Sequence, residues 1–244
     1  DHRGALIMRT PGCDRALVLG RLLADGFARK TSDIAFIRSN DANSPTQPDE
    51  IWVRVTGPRL TSPETAGPSS NQQNHQRAPV WSKGDDAPEL QLCDLMQQAL
   101  SGRHKLAGSL RLTPDVLSRL PERMRQAKGL LGQKRGMHAA ALFDRNGSLL
   151  VLQEDVGRHN AIDKVLGQAM IRDALPLQSH ILLVSGRISY AMASKALAAD
   201  VPVMATLSTP TSMAVRLAQA ANMTLLAFTR GGRFNLYGAQ FRVA

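Results

Sequence analysis

The sequence predicts an α/β protein, and three observations carry that expectation. From Gly136 onward, apolar runs of strand length alternate with stretches of helical periodicity. Asn146-Gly147 stands between the apolar runs HAAALFD and SLLVLQED, a strong hairpin signal because both residues tolerate positive φ. The later runs are separated by helix-length connections, which implies crossovers and a mixed, largely parallel sheet covered on both faces.

Taken in order, Asp14 reads as the N-cap of a helix over residues 14–24, with Leu17, Val18, Leu22 and Leu23 at helical spacing and a glycine after the apolar stripe. DIAFIR and IWVRV read as strands that pair as a hairpin across a polar turn containing Pro45 and Pro48. Residues 61–79, rich in Pro, Ser and Gln and without apolar periodicity, are expected to form an exposed flexible loop. A helix is expected over 90–100. Thr113-Pro114-Asp115 starts another, with Thr as cap and Pro at the first helical position. Pro121 either breaks that helix or begins a second one. Helices over 158–170, 189–199 and 211–221 then alternate with the strands HILLVS, VPVMATLS and TLLAFTR. Two domains follow: a smaller N-terminal α+β region over 1–112, holding the flexible loop and the Cys93 segment, and an α/β domain over 113–244.

A chain of 244 residues with 43% hydrophobic residues can build a sizeable core. Its formal net charge of +10 points to an anionic partner. The densest basic stretch, Arg123, Arg125, Lys128, Lys134 and Arg135, reads equally as a solvated helical face or an anion-facing one. Only 4% of residues are aromatic, and no nucleic-acid-binding pattern is present, which argues against nucleic acid as partner. The two cysteines, Cys13 and Cys93, build no disulfide framework and have no zinc-ligand spacing, so no metal site is expected. No apolar run reaches the ~18 residues of a membrane span, and the first residues lack signal-peptide order. The expectation is a cytoplasmic protein without membrane insertion.

In open α/β sheets, ligands bind beyond the carboxyl ends of the strands. Here those ends read Glu154-Asp155-Val156-Gly157-Arg158-His159, Ser185-Gly186-Arg187, Ser208-Thr209-Pro210-Thr211 and Arg230-Gly231-Gly232-Arg233. Glycine admits close backbone approach, Ser and Thr cap helix starts, and arginine offers a fork of donors suited to phosphate. Each element alone is more commonly a turn, a cap or a salt bridge; the convergence of four points to a phosphorylated ligand. Neither GxGxxG nor GxxxxGK[ST] is present, so the standard dinucleotide and P-loop sites are not supported.

The segments MHAAALFD, EDVGRHNAIDKVLG, LLVSGRISYAMASKAL and LSTPTSMAVRLA through TLLAFTRGGRFNLYG, with MRTPGCDRALVLGRLLADGFARKTSDI near the start, resemble the formate dehydrogenase accessory sulfurtransferase family, FdhD. The resemblance implies a cytidine-deaminase-like α/β domain, a smaller N-terminal domain and a homodimer. It also implies that sulfur passes from a cysteine desulfurase to the molybdenum cofactor, in its bis molybdopterin guanine dinucleotide form, for formate dehydrogenase. The family's cofactor-binding segment matches Phe228, Thr229, Arg230, Gly231, Gly232 and Arg233. The binding role is extended to His138, Asp155, Gly157, Arg158, His159, Ser185, Arg187 and Thr209.

A sulfur carrier of this kind needs a nucleophilic thiolate. The family carries a Cys-x-x-Cys pair, and in this chain Cys93 matches its first cysteine while Met96 stands at the second, without the flanking glycines. Either Cys93 alone carries the persulfide, or the chain binds the cofactor without transferring sulfur. Asp94 beside Cys93 tends to raise the thiol pKa, which leaves a buried structural cysteine as the plain alternative. Cys13 reads as a packed small residue at a helix start. A zinc deaminase is excluded: His138 lacks the following Glu, and no Pro-Cys-x-x-Cys exists.

Overall fold

The structure, a computed structural model, describes residues 7–40, 50–56, 105–131, 136–230 and 233–244. Its elements are α1 (Asp14–Ala24), β1 (Ile34–Asn40), β2 (Glu50–Val55), α2 (Pro114–Leu131), β3 (His138–Phe143), β4 (Leu149–Asp155) and α3 (Arg158–Ile171). There follow β5 (Ile181–Val184), α4 (Tyr190–Ala198), β6 (Val203–Thr206), α5 (Ser212–Ala220), β7 (Thr224–Arg230) and β8 (Arg233–Gly238). β1 and β2 pair antiparallel as a separate two-stranded sheet. The other six strands form one sheet in the order β4-β3-β5-β6-β7-β8. Its central strands β5, β6 and β7 are parallel, whereas β4 and β3 on one side and β8 on the other pair antiparallel. The sheet is therefore mixed, with its parallel part confined to the crossover-linked middle.

The β3–β4 turn forms because the Asp144 carboxylate accepts from the backbone N–H of Asn146 (2.9 Å) and Ser148 (2.7 Å). Gly147 alone takes positive φ there (75°); Asn146 does not, contrary to the two-residue reading of Asn-Gly. Arg123 of α2 donates to the carbonyls of Asn146 and Gly147, tying the helix to the turn. Thr113 caps α2, its hydroxyl accepting from Val116 N–H, and the helix runs on through Pro121 without a break. Leu117, Leu120 and Met124 on one face of α2 pack with Ala139, Ala141, Phe143, Ile181, Leu183 and Val203 on one face of the sheet. Each such leucine contributes about 1.5–3 kcal/mol by leaving water. The intervening Ala140, Leu142, Leu182, Val184 and Met204 are buried as well, so the sheet is covered on both faces.

Two glycines let α1 lie unusually close to α3. A Cβ added at Gly20 would stand 1.8 Å from the Asp163 carbonyl oxygen, and one at Gly167 would stand 1.8 Å from that of Ala16. The chain divides into two compact units, residues 1–60 with 105–244, and residues 61–104. The boundary expected between 112 and 113 falls inside the first, because α1 packs against α3. Asp14, expected as the N-cap of α1, is its first helical residue; Cys13 holds the cap position at φ 58°. β8 is an addition to the sequence reading, which ended the sheet at TLLAFTR. Among the described residues, no helix is long and apolar enough to cross a membrane.

Candidate functional site

Strand register brings the polar strand ends to one edge of the sheet. His138 at the start of β3 lies opposite Asp155 at the end of β4, and Ala140 lies opposite Val184 at the end of β5. Val184 in turn pairs with Thr206 at the end of β6, and Arg230 at the end of β7 with Arg233 at the start of β8. Side chains and caps then knit neighbouring ends together. Ser185 Oγ accepts from Ala139 N–H (2.9 Å), Thr206 Oγ1 donates to the Gly186 carbonyl, and Phe228 N–H donates to the Ser208 carbonyl (2.8 Å). Ser189 and Thr211 cap α4 and α5 with their hydroxyls, so two helices begin at this edge. A Cβ on Gly186 would meet His138 Nδ1 at 3.3 Å, a tight contact.

The residues of EDVGRHNAIDK divide into two groups. Asp155 is fully buried, and its carboxylate is saturated. One oxygen accepts from Gly157 N–H (2.9 Å) and Asn160 Nδ2 (3.0 Å), the other from Thr10 N–H (3.1 Å) and Lys164 Nζ (2.7 Å). Although burial pushes the Asp155 carboxyl up, the bonds from Lys164, Gly157, Asn160 and Thr10 hold it below its ordinary value. Asn160 also donates to the Met8 carbonyl (2.8 Å), Lys164 to that of Thr10 (2.8 Å), and Val156 N–H to the Thr10 hydroxyl (3.0 Å). These residues clamp residues 8–10 onto the start of α3. Gly157 serves the same clamp: a Cβ there would come within 2.8 Å of Asn160 Nδ2. The Asp155 carboxylate, expected in the ligand site, is thus held in the clamp with its acceptor positions taken, and Gly157, expected there too, stands at the start of α3. Glu154 is likewise engaged, by Lys128 at 3.0 Å.

Arg158 and His159 belong to the second group. His159 Nε2 lies 3.4 Å from Ser189 Oγ. Burial first, then the charges of Lys195, Arg158, Arg21 and His138, lower its pKa to about 4, so the ring is neutral near pH 7. One helical turn along α3, Asp163 receives Lys195 Nζ at 2.6 and 2.8 Å. Burial drives the Asp163 carboxyl upward, against the pull of Lys195.

Phe228 is the strained point of this edge. It takes φ 54° within a bulge between Ala227 and Arg230, and the residue is 44% exposed. A bulky side chain in the left-handed region is costly and clusters at functional sites. Next to it, Thr229 Oγ1 is buried without a hydrogen-bond partner among the described residues. Arg187 and Arg233 are exposed, Arg158 is half-buried, and none of the three makes an ion pair among the described residues. The two carboxylates at this edge are both neutralised by lysines, so the remaining charge is positive. An edge of unpaired guanidiniums and helix starts can hold a polyanion.

Of the other expected residues, Ser185 Oγ accepts from Ala139 N–H, and the Thr209 hydroxyl donates to the Pro210 carbonyl (3.1 Å). Cys93, Met96, Gly231 and Gly232 lie outside the described residues, as do loop 61–79 and the helix over 90–100; of Arg230 only the backbone is described. Cys13, expected to be packed, is exposed. In the basic stretch, Arg123 holds the hairpin turn, Arg125 pairs with Glu122 (2.6 Å) and Lys128 with Glu154, while Lys134 and Arg135 lie outside the described residues. Sequence reasoning missed Thr10, Asn160, Lys164, Ser189 and Lys195. Asn160 and Lys164 carried a readable signal, one helical turn apart on α3.

Comparison with known proteins adds the following. The model of the FdhD/NarQ family matches residues 1–244. The sulfur carrier protein FdhD of Streptomyces avermitilis is 35% identical over 243 residues, covering 98% of this chain and 83% of the relative. The protein of that name from Mycobacterium tuberculosis is 35% identical over 255 residues, covering 97% and 84%. That from Sulfolobus acidocaldarius is 34% identical over 233 residues, covering 96% and 82%. A crystal structure of a formate dehydrogenase accessory protein from Desulfotalea psychrophila superposes with a TM-score of 0.65 at 22% identity, covering 97% of this chain and 82% of that one. At that identity the likeness shows a shared fold.

Proposed function

We propose, from the premise that this chain belongs to the FdhD/NarQ family, that it is a sulfur carrier serving formate dehydrogenase, with Cys93 as the persulfide-bearing thiol. The observation that carries the binding half of this reading is the convergence of four strand ends at one sheet edge. There the carboxylates are neutralised internally and Arg158, Arg187 and Arg233 are not. The substrate held at that edge is the molybdenum cofactor in its bis molybdopterin guanine dinucleotide form, whose phosphates suit forked guanidinium donors.

In the first step the Cys93 thiolate attacks the outer sulfur of a cysteine desulfurase persulfide. The S–S bond breaks, the desulfurase thiolate leaves, and Cys93 becomes the persulfide. The carrier then presents that sulfur to the bound cofactor. Phe228, Thr229 and Arg233, with Arg230, Gly231 and Gly232 of the same turn, are assigned to cofactor binding, and His138, Arg158, His159 and Arg187 to the wall around it. The protein acts as a homodimer in the cytoplasm. Met96 at the second family cysteine supports the other reading, a cofactor-binding chaperone without sulfur transfer. Hydrogen exchange with guanosine diphosphate tests the shared binding half. Protection at residues 185–189 and 228–233 is the expected result, and protection elsewhere removes the site.

A further inference from the structure

We infer, building on the cofactor-binding reading of this sheet edge, that Ser189 is a positioning residue: its hydroxyl donates to His159 Nε2 and so fixes the ring as the tautomer protonated at Nδ1. Ser189 caps α4, and its Oγ accepts from Met192 N–H at 3.4 Å. The same oxygen lies 3.4 Å from Nε2 of His159, the second residue of α3. A serine hydroxyl has one hydrogen to give, and a neutral imidazole has one donor and one acceptor nitrogen. The cap occupies a lone pair and leaves that hydrogen free. Donation to Nε2 uses it. The reverse arrangement would bring a second N–H onto the capping oxygen and leave the hydroxyl hydrogen without the ring as its acceptor. Which ring nitrogen carries the proton is set by the bond that the other one makes.

A second contact holds the two helices together beside this one. Asp163 follows His159 by one helical turn on the same face of α3, and its two oxygens take Lys195 of α4 at 2.6 and 2.8 Å. Asp163 is 2% and Lys195 7% exposed, so the pair is shielded from the screening that weakens surface ion pairs. The charges around the ring act in the same direction. Lys195 of α4, Arg158 of α3, Arg21 of α1 and His138 of β3 all disfavour a second proton on His159, in addition to burial. Of these, Lys195 is paired with Asp163 and Arg21 with Asp25. A neutral ring that accepts at Nε2 keeps Nδ1–H as its donor, the polarity that a phosphate oxygen or a guanine carbonyl requires.

The test is long-range proton–nitrogen correlation NMR near pH 7 on the full chain labelled at histidine, with His159 assigned by the signals lost in His159→Gln. Ser189→Thr keeps both the cap and the hydroxyl donor, Ser189→Ala removes both, and Ser189→Asp keeps a capping acceptor with no hydrogen to donate. Circular dichroism verifies that each variant is folded. The expected result is the pattern of a ring protonated at Nδ1 in the parent and in Ser189→Thr, and loss of that pattern in Ser189→Ala and Ser189→Asp. A parent ring protonated at Nε2, or a pattern that survives in Ser189→Asp as a helix cap alone requires, would overturn the inference. Guanosine diphosphate then separates this result from the reading beneath it. On saturation the His159 Nδ1 resonance of the parent is expected to shift. No shift while residues 228–233 gain protection would remove His159 from the site and overturn the inference, whereas no protection at 228–233 would overturn the cofactor reading.

Discussion

The Asp155 carboxylate lies 2.7 Å from the Lys164 ammonium, and neither side chain is more than 2% exposed. This pair, with Asn160 and Thr10, makes the most charged stretch of the sequence a structural clamp. Arg158 and His159, which follow it, are the residues of this motif proposed to face the ligand.

Breaking the pair leaves a buried charge without a partner. Asp155→Asn is expected to cost about 3–5 kcal/mol in denaturant unfolding. Because the Asp155 pKa is depressed in the fold, its contribution is present above about pH 4 and is lost as pH falls through the folded value. A variant of parental stability that loses only guanosine diphosphate binding would return Asp155 to the ligand site.

His159 gives a second pH signature. Its ring protonates near pH 4 in the fold and near about 6.5 when unfolded, so across that window the unfolded state binds more protons. Stability therefore falls as pH drops from about 6.5 to 4. His180, also held below its ordinary value chiefly by burial, adds a change of the same sign. Chemical unfolding across this window should show a shallower slope for His159→Gln than for the parent; an unchanged slope contradicts the assignment.

The α1–α3 contact predicts intolerance at two glycines. Gly20→Ala and Gly167→Ala each drive a methyl into a backbone carbonyl at 1.8 Å. Losses of about 3 kcal/mol or more are expected, at or above the upper end for overpacking, since backbone cannot rotate aside. Thermal melts of the two variants check this.

Phe228→Gly separates strain from binding. Glycine adopts φ 54° freely, so the variant should unfold no more readily than the parent and gain about 1 kcal/mol at most. If the strained ring serves the ligand, affinity for guanosine diphosphate should fall about tenfold in calorimetry. Stability lost with affinity unchanged would make Phe228 a packing residue.

The helices were legible because their ends carry local chemistry: Thr113 before Pro114, Ser189 and Thr211 at cap positions, apolar stripes between. The β3–β4 hairpin was legible from Asn146-Gly147, although Asp144 and Gly147 supply its geometry. β8 was not, because its partner β7 ends in the glycine-bearing turn that reads as a ligand loop, and its alternation runs over only six residues. The role of Asp155 was hidden for a different reason: its partner Thr10 lies 145 residues away, and a carboxylate beside a glycine reads the same whether it faces a ligand or a buried lysine. The convergence of the strand ends followed from the crossover rule alone, since that rule places all parallel carboxyl ends on one side.

The central claim is sulfur transfer through a single thiol, and intact-mass spectrometry after incubation with a cysteine desulfurase and cysteine tests it most directly. The account predicts a gain of one sulfur atom that persists in Cys13→Ala and disappears in Cys93→Ala. No gain in the parent chain, or a gain that survives Cys93→Ala and is lost with Cys13, would contradict it.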